Sequence, residues 1–173
     1  MRSLLQHAWA TAVETVGTFR GEDLKSGNGN SDWLRFFALM STYFAKIEGT
    51  EAVAGTPSNS NELQDEIRHF ASSLDVVKNL QGFVEGLDIT HAFPKRADYY
   101  VLELDIVRKK LEIKSHRKLD AATTNVMEGE IARAASDTVL IGVSELNALR
   151  VAYPNYFADT KEFLKHLSHA TRH

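Results

Sequence analysis

The sequence predicts an α+β fold: a helical front half followed by a small mixed sheet in β-β-α-β-α order. Three observations carry this expectation. Apolar residues recur at spacings of three and four as far as residue 84. The period changes to two at residue 99, and a continuous apolar run, TVLIGV, follows at residues 138–143. The division expected from this is a helical region over residues 1–90 and a ββαβα module over residues 91–173.

The elements follow in order. Residues 4–19 read as a helix with Leu5, Ala8, Trp9, Ala12, Val13 and Val16 on one stripe. Residues 21–30 are a turn-rich break, clearest at Gly27-Asn28-Gly29-Asn30. Asn30 or Ser31 can cap the next helix, and Asp32 suits the positive end of its dipole. Trp33, Phe36, Phe37, Met40, Phe44 and Ile47 line one side of that helix, as a core helix requires. Residues 49–61, rich in Gly, Pro, Ser and Asn, form a loop with few apolar anchors and are expected to be the most mobile internal stretch. A third helix starts at Asn61, with Gln64 as a weak capping box, and its stripe runs through Leu63, Ile67, Phe70, Leu74, Val77 and Val84. Gly82 and Gly86 weaken its end.

In the back half, Tyr100, Leu102, Leu104 and Ile106 share one side of a strand, and Glu103 and Asp105 point to the other. Residues 110–115 alternate in a second strand, with Lys110, Glu112 and Lys114 expected to face those carboxylates across a hairpin. Residues 119–135 read as a helix. Residues 138–143 read as a central strand covered on both faces, joined by a right-handed parallel crossover. Ser144 is expected to cap a helix that ends before Pro154, and Asp159 to begin the last helix, with Phe163, Leu164 and Leu167 inward.

Composition narrows the function. A chain of 173 residues, 43% of them hydrophobic, buries roughly 70% of its unfolded surface and needs no metal or disulfide staple. A formal net charge of −3 gives no support for DNA or an anionic membrane as partner. Cysteine is absent, which excludes disulfides, thiolate catalysis and Cys-based zinc sites. The opening residues have no signal-peptide pattern, and no apolar run of about 18 residues could span a membrane. A cytoplasmic location is expected.

No Gly-rich phosphate loop before a lysine, no HExxH and no GxSxG occurs, so no catalytic residue is assigned. His166, His169 and His173 have the spacing of one helical face, which can bind zinc, nickel or copper. At the end of a helix they read as an exposed polar tail, and no metal ligand is assigned. Gln6, His7 and Glu14 belong to the first helix. Read by themselves they are a polar helix flank; the same groups can line a nucleotide pocket.

Residues 2–19, RSLLQHAWATAVETVGTF, resemble the end of the synthetase domain of the RelA/SpoT family. There a strand carrying Glu-x-Gln-x-Arg-Thr/Ser runs into a helix with a Trp-Ala pair. Arg2 and Ser3 match the last two motif positions, Trp9 and Ala10 match the pair, and Glu14 resembles the acidic residue that follows, displaced by about one position from compact members. Lys25 resembles the lysine that closes the block. The segments LKSGNGNSDWLRFFALMSTYFAKIEGT at 24–50, DYYVLELDI at 98–106 and AYPNYFADTKEFL at 152–164 are similar to one subgroup, so the resemblance covers most of the chain.

The resemblance implies a C-terminal fragment of an alarmone synthetase of the stringent response. The intact family transfers pyrophosphate from ATP to the 3′ hydroxyl of GDP or GTP, giving (p)ppGpp, with magnesium. Its metal and phosphate ligands stand upstream of the position matched by Arg2. The resemblance therefore leaves Arg2, Gln6, His7, Glu14 and Lys25 as nucleotide-binding positions. It implies no catalytic residue and no cofactor in the isolated chain, with ATP and GTP or GDP as partners only in an intact relative. The front helix, without its preceding strand, is expected to be exposed or covered by a second copy in a homo-oligomer. The alternative class is a non-catalytic regulatory or protein-interaction module.

Overall fold

The computed structural model describes residues 3–91, 98–105, 110–116 and 136–172. Four helices come first: α1 (Leu4–Arg20), α2 (Ser31–Glu48), α3 (Ser60–Ser73) and α4 (Val76–His91), with a short 3-10 turn at Leu24–Ser26 after α1. Strands β1 (Tyr99–Asp105), β2 (Lys110–His116) and β3 (Ser136–Gly142) follow, and then helices α5 (Val143–Ala152) and α6 (Tyr156–Thr171). A mostly helical region is thus followed by a small sheet and two C-terminal helices.

Helix α1 has no free apolar face. Beyond the expected stripe, Ala10, Thr11, Thr15, Gly17 and Phe19 are also buried. Its many small residues let α6 pack along it most extensively, while α2, α4, α5 and β3 touch its other sides. Leu5 is 9% exposed, and Ala8, Ala12, Val13 and Val16 lie at 1% or less. This corrects the expectation of an exposed front helix: the chain's own distant segments supply the cover. Trp9 is half-buried, with its indole N–H donating to the Phe37 carbonyl at 2.9 Å.

Helix α2 follows its sequence closely. The Asn30 side chain accepts from the Asp32 and Trp33 N–H groups, and Trp33, Phe36, Phe37, Met40 and Phe44 are buried. Ile47 departs from the expected stripe and is 51% exposed, because α2 leaves the core in its last turn. The following loop has polar rather than apolar anchors. The Val53 N–H donates to Thr42 Oγ1, the Thr42 and Thr56 hydroxyls meet at 2.8 Å, and Lys46 donates to the Ser58 carbonyl.

The single helix expected over residues 61–84 is two helices. It starts one residue early at Ser60, capped by Asn59, and it breaks at Asp75, whose φ of +47° is left-handed. Aspartate tolerates that region better than most residues. The break frees the Leu74 carbonyl, which accepts from the Asn79 side chain at 2.8 Å. Val77, expected inward, is exposed, while Gly82 and Gly86 lie buried inside α4, which continues to His91.

All three predicted strands form one sheet, in the order β2-β1-β3. Both adjacent pairs are antiparallel, so the expected mixed sheet is corrected. β2 and β3 do run parallel to each other, but with β1 between them, so β3 stands at an edge of the described sheet rather than its centre. The helix expected over residues 119–135 lies outside the described residues. The hairpin register sets Asp105 opposite Lys110, but Glu103 opposite Glu112 and Val101 opposite Lys114. Only the first pair matches the expected charge complement.

Helix α5 starts at Val143 after Gly142, without the side-chain cap expected from Ser144. Helix α6 starts at Tyr156, before Asp159. Phe163 and Leu167 are buried as expected, and Leu164 is partly so. One hydrophobic cluster joins α1, α2, α3 and α4 to Tyr100, Ile141, Leu146, Leu149 and Phe163, and so crosses the expected division at residue 90. No helix among the described residues is long and apolar enough to cross a membrane.

Candidate functional site

The site is built on one edge of α1, exposed at Gln6, buried at Ala10 and half-buried at Glu14, and on the turn that follows it. Ser3 and Gln6 start the helix with a capping box: the Gln6 N–H donates to Ser3 Oγ at 3.1 Å, and the Ser3 N–H donates to Gln6 Oε1 at 3.2 Å. This satisfies two N–H groups that have no partner within the helix. Gln6, Ala10 and Glu14 are spaced by four and so follow one another along this edge.

At its other end α1 closes on Gly21, which is left-handed at φ +66°. The chain then doubles back, and the Glu22 N–H donates to the Gly17 carbonyl at 2.8 Å. A Cβ on Gly17 would lie 2.6 Å from the Glu22 carbonyl oxygen, so only glycine fits there. Burial acts against the Glu22 carboxylate, but the Arg20 side chain and the Asn30 N–H outweigh it and hold its carboxyl below the usual range. Leu24 is buried under the turn, and its neighbour Lys25 is thereby carried back over Glu14.

Lys25 Nζ lies 3.6 Å from Glu14 Oε1. It donates to the Tyr153 hydroxyl at 3.1 Å and stands 5.8 Å from the centre of that ring. Lys25 also lines a cavity of about 350 Å³ with Gln6, Trp9, Ser41, Glu48 and Glu51. Glu14 and Tyr153 line a neighbouring cleft with Glu22, Asp23 and Glu145. Among the described residues no group of three or more His, Asp or Glu side chains is placed to hold a metal ion.

Of the five predicted positions, the structure brings Gln6 and Lys25 onto one cavity and Glu14 against Lys25. His7 is exposed and lines neither cavity. Arg2 lies outside the described residues. Sequence reasoning missed Tyr153, Ser41, Glu48 and Glu51. Tyr153 is 128 residues from Lys25, and no local pattern signals that contact.

Among the C-terminal histidines, His166 is not part of a free polar tail. His166 Nε2 is 3.1 Å from Glu162 Oε1, its ring meets Phe44 edge-on, and its side chain is 16% exposed. His169 is exposed with its ring 5.9 Å from that of His166, and His173 lies outside the described residues.

The cavity wall carries an amide, an indole, one ammonium from Lys25 and two carboxylates from Glu48 and Glu51. Lys25 is thus the group there that can receive an anionic oxygen, and the carboxylates act against it. No protein-family model matches this chain, and no curated protein matches it either.

Proposed function

We propose that the chain is the C-terminal portion of a RelA/SpoT-like alarmone synthetase, and that its α1 edge forms the back of a nucleotide site. In the intact protein the reaction is transfer of pyrophosphate from ATP to GTP or GDP. The observation that carries this reading is the convergence of Gln6, Glu14 and Lys25. Gln6 and Lys25 line one cavity, and Glu14 stands against Lys25 from the neighbouring cleft. A cavity of about 350 Å³ falls within the range of small-molecule sites, roughly 300–1,000 Å³.

Lys25 offers a compact positive charge for a phosphate oxygen, and Gln6 and Ser41 offer hydrogen bonds to a base or sugar. Magnesium would neutralise the polyphosphate during transfer, and its ligands belong to the upstream motifs of the resembled family. This chain supplies only part of the machinery, so on its own it binds nucleotide without turning it over.

The test is a product assay on the chain alone, and on the same chain extended by an upstream core bearing the missing motifs. With ATP, GDP or GTP and magnesium, the chain alone is expected to yield no tetra- or pentaphosphate. The extended protein is expected to yield it, and Lys25→Ala to reduce that yield at least tenfold. Turnover by the chain alone, abolished by a point change within it, overturns the fragment reading. Failure of the extended protein points to a non-catalytic interaction module.

A further inference from the structure

The Glu14–Lys25–Tyr153 cluster ties the motif-bearing front of the chain to the corner between α5 and α6. That corner is held from both sides. The Tyr153 N–H donates to the Leu149 carbonyl at 2.9 Å and ends α5, while the Tyr153 carbonyl accepts from the Tyr156 N–H at 3.0 Å as α6 begins. A second tie runs beside it, from the Thr11 hydroxyl to Asp159 Oδ2 at 3.1 Å, fixing α6 against α1. The Tyr153 ring is thus presented by a rigid corner rather than by a free loop.

Lys25 differs in kind: its side chain is 34% exposed, and its ammonium sits on a four-carbon stem with many intrinsic rotamers. Glu14 attracts the ammonium at 3.6 Å, a distance too long for a hydrogen bond and without directional preference. The Tyr153 hydroxyl supplies direction at 3.1 Å, and its ring face adds a cation–π contact. Because Glu14 and Tyr153 line the acidic cleft and Lys25 lines the Gln6–Trp9 cavity, the three side chains stand between the two hollows.

We propose that Tyr153 is a positioning residue for Lys25, holding the ammonium at the edge of the Gln6–Trp9 cavity so that phosphate affinity there depends on the α5–α6 corner. This rests on the nucleotide-site reading above. It assigns the C-terminal helices a part in ligand binding that the linear motif does not contain.

The experiment is a titration of the full chain with GDP, followed by amide NMR shifts, for the wild type, Lys25→Ala, Tyr153→Phe and the double variant. Saturable shifts at Gln6, Trp9 and Lys25 are expected in the wild type, with a Kd raised about tenfold in Lys25→Ala. Tyr153→Phe keeps the ring and removes the hydroxyl; it is expected to raise the Kd about three- to tenfold, the scale of one hydrogen bond. In the Lys25→Ala background the same change should have no further effect, because Tyr153 acts through Lys25. A merely structural role would weaken binding equally in both backgrounds and would overturn the proposal. So would an unchanged Kd in Tyr153→Phe, and if Lys25→Ala still loses affinity, the nucleotide reading survives alone. A wild type with no saturable shift at Gln6 or Lys25 overturns both.

Discussion

Two clusters of cation and carboxylate in this molecule differ in the geometry with which cation and carboxylate meet. Arg35 on α2 meets Glu66 on α3 through two hydrogen bonds, at 2.7 and 3.0 Å, and its remaining terminal nitrogen donates to the Gly55 carbonyl at 2.9 Å. The hydrogen bond that Arg35 donates to Glu66 raises the guanidinium above its ordinary pKa, with burial opposing and charge attraction adding. The planar fork is satisfied on each side and closes α2, α3 and their loop into one unit. Lys25 instead meets Glu14 through one pair of atoms at 3.6 Å and relies on Tyr153 for direction. The fork is a two-point, planar contact, whereas the ammonium meets its carboxylate at a single, longer distance. On the proposed function, the first cluster serves architecture and the second serves the ligand.

The strongest way to break this comparison is through the turn that delivers Lys25. Gly17→Ala forces its new methyl group against the Glu22 carbonyl, and backbone cannot step aside cheaply. A loss of about 1–3 kcal/mol is expected, the usual scale for overpacking, read from urea unfolding. The amide of Lys25 should shift in the same variant. An unchanged unfolding midpoint would show that the turn is not what places Lys25.

The next effect sets the two clusters directly against each other. Arg35→Ala should cost about 1 kcal/mol, near the upper end for partly exposed pairs because the contact is bidentate. It should also speed amide exchange across residues 50–58. Lys25→Ala should cost less than Arg35→Ala, because its contact with Glu14 is longer and has a single point. Should Lys25 prove the more costly to remove, the division between structural and ligand-handling cations fails.

The smallest effect is a dependence on pH. The Glu22 carboxyl is held below its ordinary value in the folded chain, so its contribution is present above the unfolded value and is lost as pH falls through the folded one. Urea midpoints taken from neutral pH down through the carboxylate range should fall less steeply in Glu22→Gln than in the wild type. Parallel curves would remove Glu22 from the forces holding the Lys25 turn.

The sequence by itself determined where α1 and α2 lie, a cap for α2 at Asn30 or Ser31, the turn after α1 and the three segments that become strands. Each depends on the spacing of neighbouring residues, so the period of three and four, or of two, reports it directly. The resemblance offered Arg2, Gln6, His7, Glu14 and Lys25 as nucleotide-binding positions; of these, Gln6 and Lys25 share a cavity, His7 lines neither hollow, and Arg2 lies outside the described residues. Tertiary structure alone decided the rest. α1 is buried on nearly every side because α6 lies along it, although its sequence shows only one strong stripe. The break at Asp75 is a left-handed residue in an otherwise continuous helical pattern. β3 takes an edge because β1 pairs with both other strands, and an apolar run does not specify its neighbour. Tyr153 reaches Lys25 across 128 residues only when the α5–α6 corner docks on α1. Periodicity records which faces an element must hide; it carries no information about which distant segment will hide them.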